Sequence, residues 1–146
     1  LVLPEREAPT LCVVDPREAL VLCERTIRMG QELWFAQLRE GPTASSRLRA
    51  ARALADDRSP AARDALGRAI AEDPFWGVRK QAAEALAGHD EGGRDLLLVA
   101  ATEQKDARVR RAAIGTLRER GRDAKVAGAM AALLSKGDPS YYVEAE

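Results

Sequence analysis

Metal binding and acid–base catalysis need imidazole, thiol or carboxylate groups that converge on one point, and this chain offers them singly. Its one histidine is His89, between Gly88 and Asp90. A lone imidazole cannot supply the three or four protein ligands of a zinc site. A structural role fits better. Gly88 tolerates positive φ and ends a helix, so His89 falls near a helix C-terminus, where an imidazolium would suit the dipole. Asp56-Asp57 and Asp90-Glu91 are neighbouring carboxylates in loops. Adjacent side chains do not converge on one proton, so both pairs read as solvated loop acids. Cys12 and Cys23 lack C-x-x-C spacing, which leaves zinc-ribbon and thioredoxin chemistry without support. Gly92-Gly93 has no strand before it and no Lys-Ser/Thr after it, so it is not a phosphate loop. The expectation is that no residue of this chain is catalytic, holds a metal or binds a cofactor.

The elements carrying these residues follow a repeat. Phe75-Trp76-Gly77-Val78-Arg79-Lys80-Gln81-Ala82-Ala83-Glu84-Ala85-Leu86 is echoed by Val109-Arg110-Arg111-Ala112-Ala113-Ile114-Gly115-Thr116-Leu117 and by Arg47-Leu48-Arg49-Ala50-Ala51-Arg52-Ala53-Leu54. Leu54, Leu86 and Leu117 are equivalent, at steps of 32 and 31 residues. A period of that size marks a solenoid, whose units are too small to bury their own apolar faces and must stack. The 146 residues suffice for one domain or a short array. Aromatics make up 4% of an otherwise 46% apolar chain, so the core must be built from Ala, Leu and Val, which suits closely approaching helices.

Cations and anions balance at 23 each, so no global charge draws the chain to nucleic acid or to an anionic membrane. From Lys105 to Lys125 eight cations face three anions, read as solvated helix surface. No apolar run approaches the ~20 residues that span a bilayer, and no secretory leader is visible. A cytoplasmic setting is favoured. The start at Leu1 and the end at Glu146, inside a new repeat unit, read as an excised piece of a longer polypeptide.

Before the repeats, Leu11-Cys12-Val13-Val14, the turn Asp15-Pro16 and the extended run from Ala19 to Ile27 predict a short β-hairpin with strands near 10–14 and 19–27. Cys12 would then lie opposite Val21 and diagonal to Cys23. Diagonal neighbours are ~7–8 Å apart, too far for an unstrained disulfide, so both thiols are expected reduced. Helical spacing begins near Gln31 with Leu33, Trp34 and Leu38, and Gly41-Pro42 stops it. Thr43, Ser59-Pro60, Asp73-Pro74 and Asp106 open the next helices. Further helices start near Gly92 and Arg122, and Asp138-Pro139 opens a last one through Tyr141 and Tyr142. Asp138 matches Asp106 at a step of 32. The layout expected is a hairpin unit over 1–30, then a helical unit over 31–146 with a bridging helix, about three helix pairs and a stump. Trp34 should seal the junction of the two units, and Phe75 and Trp76 should wedge between repeats.

The pattern Val-Arg-x-x-Ala-x-x-x-Leu in the first helix of each pair resembles a HEAT-like repeat over about residues 43–146. The resemblance implies a mainly α fold, an α-α superhelix preceded here by the hairpin. It also implies that Arg79 and Arg110 reach along the stack. In the first copy Ser46 stands where Val is expected, and the Asp position before Val78 is Phe75, which moves that cap to Asp73. A narrower likeness rests on Val14-Asp15-Pro16, Trp34-x-x-Gln37-Leu38, Arg47–Leu54 and Asp73-Pro74-Phe75-Trp76-Gly77-Val78-Arg79. Together these resemble the end of the β-sandwich and the C-terminal helical region of bacterial aminopeptidase N family zinc metallopeptidases. That likeness implies a noncatalytic segment that shapes a substrate chamber and contacts the rest of its parent chain. Zinc would sit in the parent, because H-E-x-x-H is absent here. The alternative is an independent HEAT-type scaffold for a protein or peptide, with Trp34, Phe75, Trp76, Arg79 and Arg110 as candidate contacts. Neither reading calls for nucleic acid or membrane.

Overall fold

The computed structural model describes residues 9–15, 29–120 and 122–146. Eight α-helices form among them: α1 (Gln31–Glu40), α2 (Ala44–Ala53), α3 (Pro60–Glu72), α4 (Trp76–Ala85), α5 (Glu91–Glu103), α6 (Ala107–Arg118), α7 (Ala124–Lys136) and α8 (Tyr141–Glu144). Small polar side chains satisfy orphan N–H groups at the starts of α2, α3, α5, α6 and α7, whereas α1, α4 and α8 start without a side-chain cap, and Asp73, expected to cap α4, is the C-cap of α3. Thr43 accepts from the Ser46 N–H and the Ser46 hydroxyl accepts from the Thr43 N–H, a reciprocal capping box. Ser59 caps α3 with Pro60 in the first turn. Asp90, Asp106 and Asp123 cap α5, α6 and α7. Gly88 ends the stretch after α4 at φ 71°, where a side chain would be strained.

The helices stand in two rows. Residues of α2 meet α4, α4 meets α6, and α6 meets α8; α1, α3 and α5 form the facing row, with α7 touching α5. Across the rows α1 packs on α2, α3 on α4 and α5 on α6. The pairing therefore differs from the expected one. The bridging helix is the first member of a pair, and the three-residue links 41–43, 73–75 and 104–106 lie inside pairs. Short links of this kind hold antiparallel helices side by side.

The equivalent positions inferred from the repeat are all sealed. Leu54, Leu86 and Leu117 are buried, as are Val78 and Val109, with Ala50, Ala82 and Ala113 between them. Burying each Leu or Val is worth about 1.5–3 kcal/mol. Ser46 is buried at the valine position. Its hydroxyl is already spent on Thr43, donating to the Thr43 carbonyl at 2.7 Å, so no orphan group opposes burial. Trp34 is buried within this helical core.

The register of the last repeat corrects the sequence reading. Val143 is buried where Val78 and Val109 are, which aligns Asp138 with Asp73 and Gln104, not with Asp106. Asp73 and Asp138 each accept from the N–H two residues on, Phe75 and Ser140, at 2.8 Å. The match at 32 residues follows a period that varies from unit to unit. The hairpin is not supported either. Residues 9–15 form no strand, and the Val14 carbonyl accepts from Arg49 Nη1 of α2 at 2.7 Å. Cys12 carries a free thiol; the second arm, 19–27, and Cys23 lie outside the described residues, as does most of the 1–30 unit.

Candidate interaction site

Each helix of the α2–α4–α6 row carries an arginine one position after its buried Val or Ser, and that arginine binds the turn before it. Arg47 Nη1 donates to the Gly41 carbonyl at 2.9 Å, Arg79 Nη1 to Asp73 and Pro74 carbonyls at 2.7 and 3.3 Å, and Arg110 Nη1 to Gln104 and Lys105 carbonyls at 2.8 and 3.0 Å. These carbonyls are the orphan acceptors past a helix C-terminus. The other edge of the guanidinium reaches forward along the stack. Arg47 Nε and Nη2 donate to the two oxygens of Asp73 at 2.7 and 3.2 Å. Arg110 does the same to Asp138 at 2.7 Å for both bonds. The pairs are nearly sealed, with side chains 13% and 4% exposed in the first and 11% and 12% in the second. Bidentate geometry at low exposure makes these the strong kind of ion pair. The Arg110 hydrogen bonds hold the Asp138 carboxyl below its ordinary range, and Asp138 in turn raises Arg110.

The middle rung is open. Gln104 stands at the position of Asp73, and the two share one backbone conformation, φ −61° and ψ 130° at Asp73 against φ −64° and ψ 130° at Gln104. Gln104 turns its amide to the Ile70 carbonyl instead, at 2.8 Å. Arg79 Nε is buried and has no hydrogen-bond partner among the described residues. Sequence reasoning selected Arg79 and Arg110 without distinguishing them. The signal was present: aligned on Val78, Val109 and Val143, the turn reads Asp-Pro, Gln-Lys, Asp-Pro.

Beside the open rung the surface is aromatic and charged. Phe75 is 38% exposed, its ring centroid 5.5 Å from that of Trp76 at 49°. The guanidinium carbon of Arg108 lies 3.6 Å from the Trp76 ring centroid, a cation–π contact across the α4–α6 seam. The two aromatics thus separate: Trp76 lies under Arg108 of α6, while Phe75 is exposed. Asp106 takes Arg108 Nε and Nη2 at 3.0 and 2.7 Å and also the Arg108 N–H. The Arg108 side chain chiefly, then that backbone bond, lowers the Asp106 carboxyl to about 2. From here a groove of about 540 Å³ runs between α4 and α6, lined by Trp76, Lys80, Glu84, Arg108, Arg111 and Glu119 among others.

A second rail, in the α3–α5–α7 row, is one the sequence reading missed. Arg63 donates to Asp90, the α5 cap, at 2.9 Å, and Arg94 to Asp123, the α7 cap, at 2.8 Å. Asp123 is held low by Arg94 above all; Asp90 is held low first by the Gly93 N–H and then by Arg63. The Arg-Asp doublets at 63–64 and 94–95 recur at the repeat period and could have revealed it.

His89 is 3% exposed, and its Nε2 has no hydrogen-bond partner among the described residues. Burial first, then the Arg58 cation, lowers its pKa, so it is a neutral imidazole and not the imidazolium expected at a helix end. A Cβ on Gly93 would lie 2.5 Å from His89 Cβ, and glycine there lets α5 start against the ring. Among the described residues no three His, Cys, Asp or Glu side chains could hold a metal ion, and no helix is long and apolar enough to cross a membrane.

Two rows of paired helices joined by repeating Arg–Asp rungs define an α-helical repeat protein. Residues 32–95, from α1 into α5, match the family model for HEAT repeats, so this stretch is similar to HEAT repeats. No curated protein and no solved structure matches the chain.

Proposed function

We propose that this chain is a noncatalytic HEAT-repeat scaffold that holds a protein or peptide against the α4–α6 face. The observation that supports this is the groove between those helices, where Trp76, Lys80, Arg108 and Arg111 stand at the surface while the apolar side chains beneath are spent on helix–helix contacts. Aromatic and arginine side chains are enriched where interfaces carry their binding energy. The finer reading places the segment in an aminopeptidase N-like zinc metallopeptidase, where the same face would wall a substrate chamber and meet the parent's own domains. It rests on the likeness of residues 14–16, 34–38, 47–54 and 73–79. Zinc would belong to the parent's catalytic domain, since no described cluster fits it, and no chemical step is assigned to these residues.

A photo-crosslinking side chain at Arg111, in the groove, with a control at exposed Arg68 of α3, tests both readings in the full-length protein. The scaffold reading expects a discrete protein adduct from position 111 and none from 68. Adducts of equal yield from both positions would refute it. An adduct within the same polypeptide, from a reading frame that encodes H-E-x-x-H, is the outcome the metallopeptidase reading requires.

A further inference from the structure

We propose that α7 is the interface of a two-fold dimer, in which a second copy of this chain lays its own α7 antiparallel along the groove that α6, α7 and α8 leave open. The proposal goes beyond the scaffold reading and does not depend on it, since no residue of α7 lines the α4–α6 groove. The opening stands at the surface. It holds about 300 Å³ and is lined by Ile114, Val126, Met130, Leu133 and Leu134 among others, with Leu134 itself 72% exposed. Beside α5 the equivalent space is filled by α6, whose buried Ala113 and Leu117 are spaced as Ala-x-x-x-Leu. Beside α7 the four-residue α8 buries Val143 alone.

Helix α7 carries what such a groove takes. At 3.6 residues per turn, Ala124, Ala127, Gly128, Ala131, Leu134 and Ser135 fall on one flank, and all are exposed. No charge interrupts that flank. Lys125 and Lys136 fall on the other side of the helix, where Asp95 of α5 holds Lys125 at 2.8 Å. The Ser135 hydroxyl donates to the Ala131 carbonyl at 2.9 Å, so covering the flank strands no polar side chain. A Cβ built on Gly128 would meet nothing within 4 Å. Nothing within one copy calls for glycine there, although a helix interior disfavours it.

Self-complementarity selects the occupant. Turned about a two-fold axis at Ala131, antiparallel α7 helices set Leu134 of each copy over Gly128 of the other. Knob and socket lie on the same helix, as an isologous interface requires. Antiparallel helices also oppose their dipoles, and two copies of net charge zero do not repel one another. The 13 residues of α7 span about 20 Å, too little for the roughly 800 Å² per partner of a standard interface. The dimer is therefore a weak one, with Kd on the order of 10–100 µM. Unfolding titrations at about 1 µM read the monomer.

Sedimentation equilibrium of the chain between about 1 and 500 µM tests this. The wild type should pass from monomer to dimer across that range. Leu134→Glu would bury an unpaired carboxylate and should weaken association by about tenfold or more. Gly128→Leu fills the socket and should act in the same direction. Val99→Glu alters an apolar residue of α5 that is 52% exposed, and should leave association unchanged. With Cys12→Ser and Cys23→Ser in place, Ala131→Cys should yield a disulfide-linked dimer on mild oxidation, because the axis brings position 131 beside itself. Ala132→Cys, off the flank, should not. Thermal melts followed by circular dichroism confirm that the variants fold. A wild type that stays monomeric at the highest concentration overturns the proposal. So does a dimer that Leu134→Glu leaves intact, or one that crosslinks as readily through position 132 as through 131.

Discussion

Helices α5 and α7 occupy the same row and have the same length, 13 residues, yet they are used differently. Helix α5 buries Gly93, Leu97, Ala100 and Ala101, whereas α7 buries only Val126. The sequence of α7 is the more apolar of the two. What differs is the neighbour. Helix α5 packs along the 12-residue α6, while the helix that follows α7 has four residues. Leu134 is left 72% exposed, and an apolar groove of about 300 Å³ opens among α6, α7 and α8, lined by Ile114, Met130, Leu133 and Val143 among others. Burial in this array belongs to the seam between helices and not to the helix that carries the side chain, as expected where stability is a sum of unit and nearest-neighbour terms.

The sharpest test of that difference is a leucine on each helix. Leu97→Ala removes a fully buried side chain from α5 and should cost about 2–5 kcal/mol in urea-induced unfolding. A cost below 1 kcal/mol would mean that the α5–α6 seam is loosely packed. Next in size is the ladder. Asp73→Asn keeps the shape but gives up the charge that Arg47 grips with two bonds, at 4% side-chain exposure. The loss should be about 1.5–3 kcal/mol, typical of hydrogen bonds to a charged group. The same change at Asp138, in the rung beside the loosely covered end, should cost less if coverage governs rung strength. Equal losses would break the comparison.

Acid should unfold the array in two steps that belong to different regions. His89, with its pKa depressed in the folded protein, takes up its proton more readily when unfolded. It therefore contributes stability that is lost as pH falls below the unfolded histidine value of about 6.5. Asp106, depressed to about 2, contributes stability that is complete above the unfolded value of about 3.9 and is lost as pH falls from there through about 2. His89→Gln should flatten the first slope in the pH dependence of the urea midpoint, and Asp106→Asn should reduce the second, which Asp90, Asp123 and Asp138, also held low, share. A first slope unchanged in His89→Gln would place the titrating group elsewhere.

The repeat made the stacked fold legible because Leu54, Leu86 and Leu117 had to be buried together, and they are. The helix starts were legible from caps, as at Thr43, Ser59 and Asp106. Pairing was not, since the links inside pairs and between pairs are both only a few residues long and either could close an antiparallel pair. The run Leu11–Val14 carries strand-forming residues, yet residues 9–15 form no strand; propensity alone is a weak guide without a paired neighbour. At the candidate site the arginines were visible, but the vacancy was not. It appears only when Gln104 is recognised as the backbone equivalent of Asp73, and the varying period hid that register.

The smallest effect tests the other half of the comparison. Leu134→Ala deletes as many carbon atoms from α7 as Leu97→Ala deletes from α5. At 72% exposure most of that surface already meets water, so little transfer energy is at stake and no cavity forms. The change in stability should stay within about 0.5 kcal/mol, as for surface sites generally. A loss of 2 kcal/mol or more in the full-length protein, measured by the same urea titration, would mean that something covers α7 there. It would then place a second docked surface over the groove lined by Met130 and Leu133.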